Sequence, residues 1–134
     1  MEQQDILSMT LPELQAAVQE LGEPKFRAKQ IFNWLHQKRV TDFSEMTTLS
    51  LPFRERLASD FCINRLKIAK RLASSVDDTV KYLYELPDGN YVETVCMQYH
   101  HGTSLCISTQ VGCRMGCRFC ASAIAGFVRN LTPA

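Results

Sequence analysis

At 134 residues, with 46% hydrophobic and 22% charged content, the chain has room for one domain or two very small ones and the composition of a soluble globular protein. No run approaches the ~20 apolar residues of a membrane span, and Met1-Glu2-Gln3-Gln4-Asp5 lacks the basic start and apolar stretch of an export signal. A net charge of +1 predicts by itself no nucleic-acid partner, and six cysteines without an export signal argue for a reducing cytoplasm and metal or redox chemistry, not a disulfide framework.

The distribution of charge says more than its sum. Residues 1–23 carry five acids (Glu2, Asp5, Glu13, Glu20, Glu23) and no Lys or Arg. Residues 24–39 carry five bases (Lys25, Arg27, Lys29, Lys38, Arg39) and no acid, and Arg65, Lys67, Lys70 and Arg71 form a second basic block. Both blocks are candidate RNA footprints, with Lys25, Arg27, Lys29, Lys67 and Arg71 as candidate contacts. On charge alone, solvated basic faces explain them equally well.

Thr10-Leu11-Pro12-Glu13 reads as a capping box with proline in the first turn. Leu14, Ala17, Val18 and Leu21 follow at helical spacing, and Gly22 can end the helix. After the break at Glu23-Pro24, a second helix runs from about Lys25 to Gln37 with Ala28, Ile31, Phe32 and Leu35 on one face. Trp34 and His36 lie off that stripe and read as partly packed and surface residues. Phe43 and Met46 mark a short helical turn. Ser50-Leu51-Pro52 opens a third helix in which Leu49, Phe53, Leu57 and Phe61 recur every four residues. Cys62 reads as core filler at its end. Residues 1–64 are thus expected to form a helical module.

At Arg65 the period changes from helical to alternating. Leu66, Ile68 and Leu72 alternate with Lys67, Ala69 and Arg71, as in a strand with one exposed basic face. Val80, Tyr82, Tyr84 and Leu86 alternate again, Pro87-Asp88-Gly89-Asn90 is a turn, and 91–97 returns as the partner strand. His100-His101-Gly102 makes a further turn, whose histidines read as polar turn residues. A β-like run over 103–110 then leads into a cysteine loop. The expected division is 1–64, an antiparallel β extension over 65–102, and a third segment, 103–134.

That loop, Cys113-Arg114-Met115-Gly116-Cys117-Arg118-Phe119-Cys120, spaces three thiols as C-x3-C-x2-C. Such spacing lets a short loop curl until three sulfurs converge on a soft metal site. Gly112 and Gly116 stand where a side chain would obstruct a tight bend. Structural zinc wants four ligands; three thiolates suit a 4Fe–4S cluster with one iron left open. A zinc knuckle or unrelated core cysteines remain alternatives on spacing alone. At the far end, Thr132-Pro133-Ala134 reads as the N-cap and first turn of a helix. A strand, a ligand loop and the start of a helix make half of a βα unit, which cannot bury its own sheet. The expectation is the amino-terminal part of a larger α/β enzyme.

The cysteine loop resembles the signature of the radical S-adenosylmethionine (SAM) enzymes. The wider pattern is narrower: Gln110-Val111-Gly112-Cys113, Gly116-Cys117-Arg118-Phe119-Cys120 and Gly126-Phe127-Val128-Arg129-Asn130-Leu131 resemble the RlmN/Cfr family of RNA adenine methyltransferases. Phe26-Arg27-Ala28-Lys29-Gln30-Ile31 is similar to that family's accessory domain. The resemblance implies an α+β chain leading into α/β: an RNA-binding helical module, an antiparallel extension and the start of a partial (β/α) barrel. It implies Cys113, Cys117 and Cys120 as ligands of a 4Fe–4S cluster that binds SAM, and Glu93 as proton acceptor. It implies Cys106 as the resolving cysteine, which forms a transient disulfide with a methyl-carrying cysteine. Neither Cys62 nor Cys96 stands where that carrier should be. The implied reaction is methylation of an adenine ring carbon, carbon 2 in preference to carbon 8, in 23S rRNA and tRNA. The implied protein is a cytoplasmic monomer that takes electrons from an external donor such as a flavodoxin. Another radical SAM enzyme and a non-enzymatic zinc- and RNA-binding module are the alternatives.

Overall fold

The computed structural model describes residues 3–134. Met1 and Glu2, which carry the first of the amino-terminal acids and the start of the export-signal reading, lie outside the described residues. Helix and sheet are mixed, and the chain divides into two units: one runs to Asn64 and includes Thr132–Ala134, the other is Arg65–Leu131.

In the first unit β1 (Gln4–Asp5) pairs in parallel with β2 (Phe61–Cys62). Between them lie helices α1 (Leu11–Glu20), α2 (Phe26–His36) and α3 (Leu51–Asp60), with 3-10 turns at Ile6–Ser8 and Phe43–Glu45. The Thr10 hydroxyl and N–H both donate to the Glu13 carboxylate, at 2.6 and 2.7 Å. The hydroxyl first, and the N–H second, hold Glu13 below the usual carboxylate range. Gly22, at φ 79°, closes α1: its N–H donates to Gln19 O at 2.9 Å and Glu23 N–H to Val18 O at 3.1 Å. The helical stripes meet in one core of Leu14, Val18, Ala28, Ile31, Leu35, Met46, Phe53 and Leu57. Trp34 is partly packed against it, with its indole N–H on the Thr48 hydroxyl at 2.8 Å.

Two local expectations fail here. Helix α3 stops at Asp60, so Phe61 packs as a strand residue and Cys62 is only half-buried, its thiol 3.5 Å from Gln3 O. Pairing with β1 pulls the chain out of the helix and turns successive side chains to opposite sides. Thr132–Ala134 is not helical; Ala134 N–H donates to Ser8 Oγ at 3.3 Å.

The second unit holds an antiparallel sheet in sequence order, β3 (Lys67–Ala73), β4 (Val80–Glu85), β5 (Tyr91–Tyr99) and β6 (Gly102–Cys106). A separate pair, β7 (Gln110–Gly112) and β8 (Phe127–Asn130), runs antiparallel and encloses the cysteine loop and one turn of helix, α4 (Ala121–Ile124). The run expected over 103–110 is therefore two strands, broken between Cys106 and Gln110. Its continuation takes the form strand, cysteine loop, helical turn and antiparallel return. Leu86, Val92 and Val111 are buried together, with Tyr84 and Leu131 against them.

Edge strand β3 departs from its expected single basic face. The register slips between Ile68 and Lys70, and such a bulge inverts the alternation. Lys67, opposite Glu85, and Arg71, opposite Tyr82, consequently lie on opposite faces of the sheet. Every residue of the strand is exposed.

Candidate functional site

Three of the six cysteines sit on the loop between β7 and α4. Cys113 and Cys120 are half-buried and Cys117 is exposed. The loop is pinned at its base, where β7 crosses the chain entering β8. Cys113 N–H donates to Gly126 O at 3.2 Å. A Cβ on Gly112 would stand 1.7 Å from that same oxygen, so only glycine fits, and its φ of 73° points the same way. The Arg114 guanidinium lies 4.0 Å from the centre of the Phe127 ring, tying the loop to β8. Cys120 N–H closes on Cys117 O at 3.1 Å and Ala123 N–H on Cys120 O at 3.1 Å.

The donor set fits an iron–sulfur cluster by its chemistry: three thiols on one loop, with no carboxylate or imidazole between them. Met115 N–H faces Cys113 Sγ at 3.5 Å, the kind of donor that stabilises thiolate sulfur. Among the described residues no three His, Cys, Asp or Glu side chains are gathered tightly enough to hold a metal ion. The expected convergence of the three sulfurs is thus not seen among the described residues.

Glu93 and Cys106 share one face of the large sheet. Val95 pairs directly with Cys106 and Leu83 with Glu93, so Glu93 and Cys106 are diagonal neighbours about 7–8 Å apart by ordinary strand geometry. Ser108 donates its hydroxyl to Glu93 O at 3.0 Å, drawing the segment after β6 back along β5. A cleft of about 720 Å³ opens within this unit, lined by Leu83, Tyr91, Glu93, Ser108, Gln110 and Gly126 among others. Cys106, Cys113 and Cys120 do not line it, but their neighbours Ile107, Gly112 and Ala121 do.

Glu93 is not enclosed by its Tyr91, Val95 and Met97 neighbours. Its side chain is 54% exposed and ion-paired with Lys81, whose Nζ lies 2.8 Å from Oε1. Sequence reasoning missed this lysine because it enters through the register of β4 on β5. It also missed the tie between Asp88 and Arg129, 2.6 Å apart. That tie joins the β4–β5 turn to β8, and the Arg129 guanidinium holds Asp88 well below the usual carboxylate range.

Among the candidate RNA contacts, Lys25, just before α2, and Lys29, on it, are exposed. Arg27 is spoken for: Nη1 donates to Gln30 Oε1 at 2.9 Å, and Nε lies 3.9 Å from Glu23. Lys67 pairs with Glu85 at 3.2 Å, and Arg71 is exposed on the opposite face. No described helix is long and apolar enough to cross a membrane.

Residues 4–63 match the ribosomal RNA large subunit methyltransferase N-terminal domain. Over 130 residues the chain is 58% identical to a protein of Lachnoclostridium phytofermentans described as a probable dual-specificity RNA methyltransferase RlmN, covering 95% of this chain and 36% of that protein. A relative of the same description from Alkaliphilus oremlandii is 54% identical over 131 residues, covering 98% of this chain and 38% of its own length. The crystal structure of a radical SAM methyltransferase from Sphaerobacter thermophilus superposes with a TM-score of 0.83 at 36% identity, covering 96% of this chain and 38% of that one. The chain therefore spans little more than a third of the length of the proteins it matches.

Proposed function

We propose that the chain, whose residues 4–63 match the ribosomal RNA large subunit methyltransferase N-terminal domain and which is similar along nearly its whole length to probable RlmN methyltransferases, forms the front part of a radical SAM enzyme acting on RNA. The reaction is methylation of an adenine ring carbon, carbon 2 in preference to carbon 8, in 23S rRNA and tRNA. Cys113, Cys117 and Cys120 would hold a 4Fe–4S cluster. Lys25, Lys29, Lys67 and Arg71 contribute to RNA binding, residues 1–64 acting as the accessory module and 65–102 as the β extension. From 103 onward the chain begins the catalytic core, and a flavodoxin-like donor serves the monomeric, cytoplasmic protein.

The observation that carries this reading is the placing of Glu93 and Cys106 on one sheet face, in the unit whose next strand leads into the cysteine loop. When bound, the cluster and SAM supply the radical chemistry that an unreactive ring carbon requires. The residues of this chain complete the exchange. Glu93 takes the ring proton, the C–H electron pair remaining with the ring. The Cys106 thiolate attacks the sulfur of a methyl-carrying cysteine that is none of the six here. The S–S bond forms, the S–C bond breaks, and the electron pair leaves with the methylene carbon, which takes up a proton to become the methyl group.

Nucleoside analysis of rRNA and tRNA incubated with the complete, reconstituted enzyme, SAM and a reductant tests the reading. The expected product is 2-methyladenosine in both RNAs. Detection of 8-methyladenosine would assign the carbon-8 branch, and absence of any ring-methylated adenosine would contradict the assignment.

A further inference from the structure

We propose that Lys81 is a positioning residue for Glu93, aiming its carboxylate along the sheet face that carries Cys106; this rests on the reading of Glu93 as the proton acceptor. Lys81, Val95 and Cys106 form one cross-strand row, since Lys81 pairs with Val95 and Val95 with Cys106. Glu93 stands one step along β5, directly opposite the apolar Leu83. Leu83 offers its carboxylate nothing to bond. The ammonium of Lys81, 2.8 Å from Oε1, holds that oxygen on the β4 side of β5, across Val95 from Cys106. With Oε1 held, Oε2 is the oxygen left to take a proton from a ring lying over that row: the C–H bond breaks, its electron pair stays with the ring, and the proton bonds to Oε2.

Stability does not explain the pair. The two side chains are 42% and 54% exposed, and exposed pairs contribute about 0–1 kcal/mol. Lys81→Arg, which keeps the ion pair, and the double variant separate orientation from any effect on the strands.

The experiment uses the complete enzyme with Lys81→Met, Lys81→Arg, Glu93→Gln and the double variant Lys81→Met/Glu93→Gln. All are loaded to the parental iron content and given RNA tritiated at the reacting adenine carbon. Release of tritium to water reads the step that Glu93 performs. Lys81→Met should slow release about 10- to 100-fold, the usual effect of misplacing a reacting group by about 1 Å. Lys81→Arg, which keeps the charge and reach, should recover most of the rate. In the Glu93→Gln background the lysine change should cause no further loss, because it acts through the carboxylate. Unchanged release in Lys81→Met beside a stalled Glu93→Gln would overturn the inference while leaving the Glu93 assignment standing. So would an equal additional loss in the double variant, which would make Lys81 an independent RNA contact. Parental release from Glu93→Gln would instead remove the assignment on which the inference rests.

Discussion

Cys106→Ala in the complete enzyme is expected to abolish turnover and to leave protein and RNA covalently joined. In the proposed reaction the methylene carbon becomes attached to both the carrier sulfur and the ring, and a second sulfur releases it. Alanine has none, and no other cysteine shares the row formed by Lys81, Val95 and Cys106. Cys96, next along β5, pairs with Leu105 and therefore faces the other side of the sheet. The readout is a band of retarded mobility that survives denaturation and disappears with ribonuclease. Glu93→Gln should stall as well, but its adduct should retain the ring proton, which mass analysis of the trapped nucleotide distinguishes. Multiple turnovers by Cys106→Ala without an adduct would return that thiol to a structural role.

Gly112→Ala is expected to loosen the base of the cysteine loop, at a cost on the order of 3 kcal/mol or more. The new methyl would sit 1.7 Å from Gly126 O, a backbone atom. Relief requires moving β8 away from β7, which breaks the bond from Cys113 N–H to that oxygen. Gly116→Ala is the control. Its φ is also positive, at 64°, but nothing lies within 4 Å of the added Cβ, so its cost is the backbone one alone, about 1 kcal/mol. Amide exchange at Cys113 and Leu131 in the whole chain should separate the two: strongly accelerated in Gly112→Ala and nearly unchanged in Gly116→Ala. Equal protection in both would mean that the crossing of β7 and β8 is not close.

What could be read in advance follows the range of the interaction. Helices α1 and α2 were legible because their signals are local: the Thr10–Glu13 cap, the Gly22 stop and the stripe of Leu14, Val18, Ile31 and Leu35. The Pro87–Asn90 turn was legible for the same reason. Three thiols within eight residues need no tertiary structure to be noticed. The bulge in β3 was not legible, since it is a property of pairing with β4, and it put Lys67 and Arg71 on opposite faces. Nor were Lys81–Glu93 and Asp88–Arg129, which lie 12 and 41 positions apart in sequence and meet only through strand register and the return of β8. Arg27 looked free for RNA by its charge, yet it is held by neighbours within α2 and just before it.

The metal content of the Cys113–Cys120 loop decides most directly whether these thiols hold a cluster. Anaerobic reconstitution of the complete protein, followed by iron and sulfide determination and electron paramagnetic resonance of the reduced sample, should give about four irons and four sulfides per chain. Cys113→Ala, Cys117→Ala and Cys120→Ala should each lose that signal, while Cys62→Ala, Cys96→Ala and Cys106→Ala keep it. Stoichiometric zinc with no iron, or a cluster that survives loss of any one of the three loop thiols, would contradict the account.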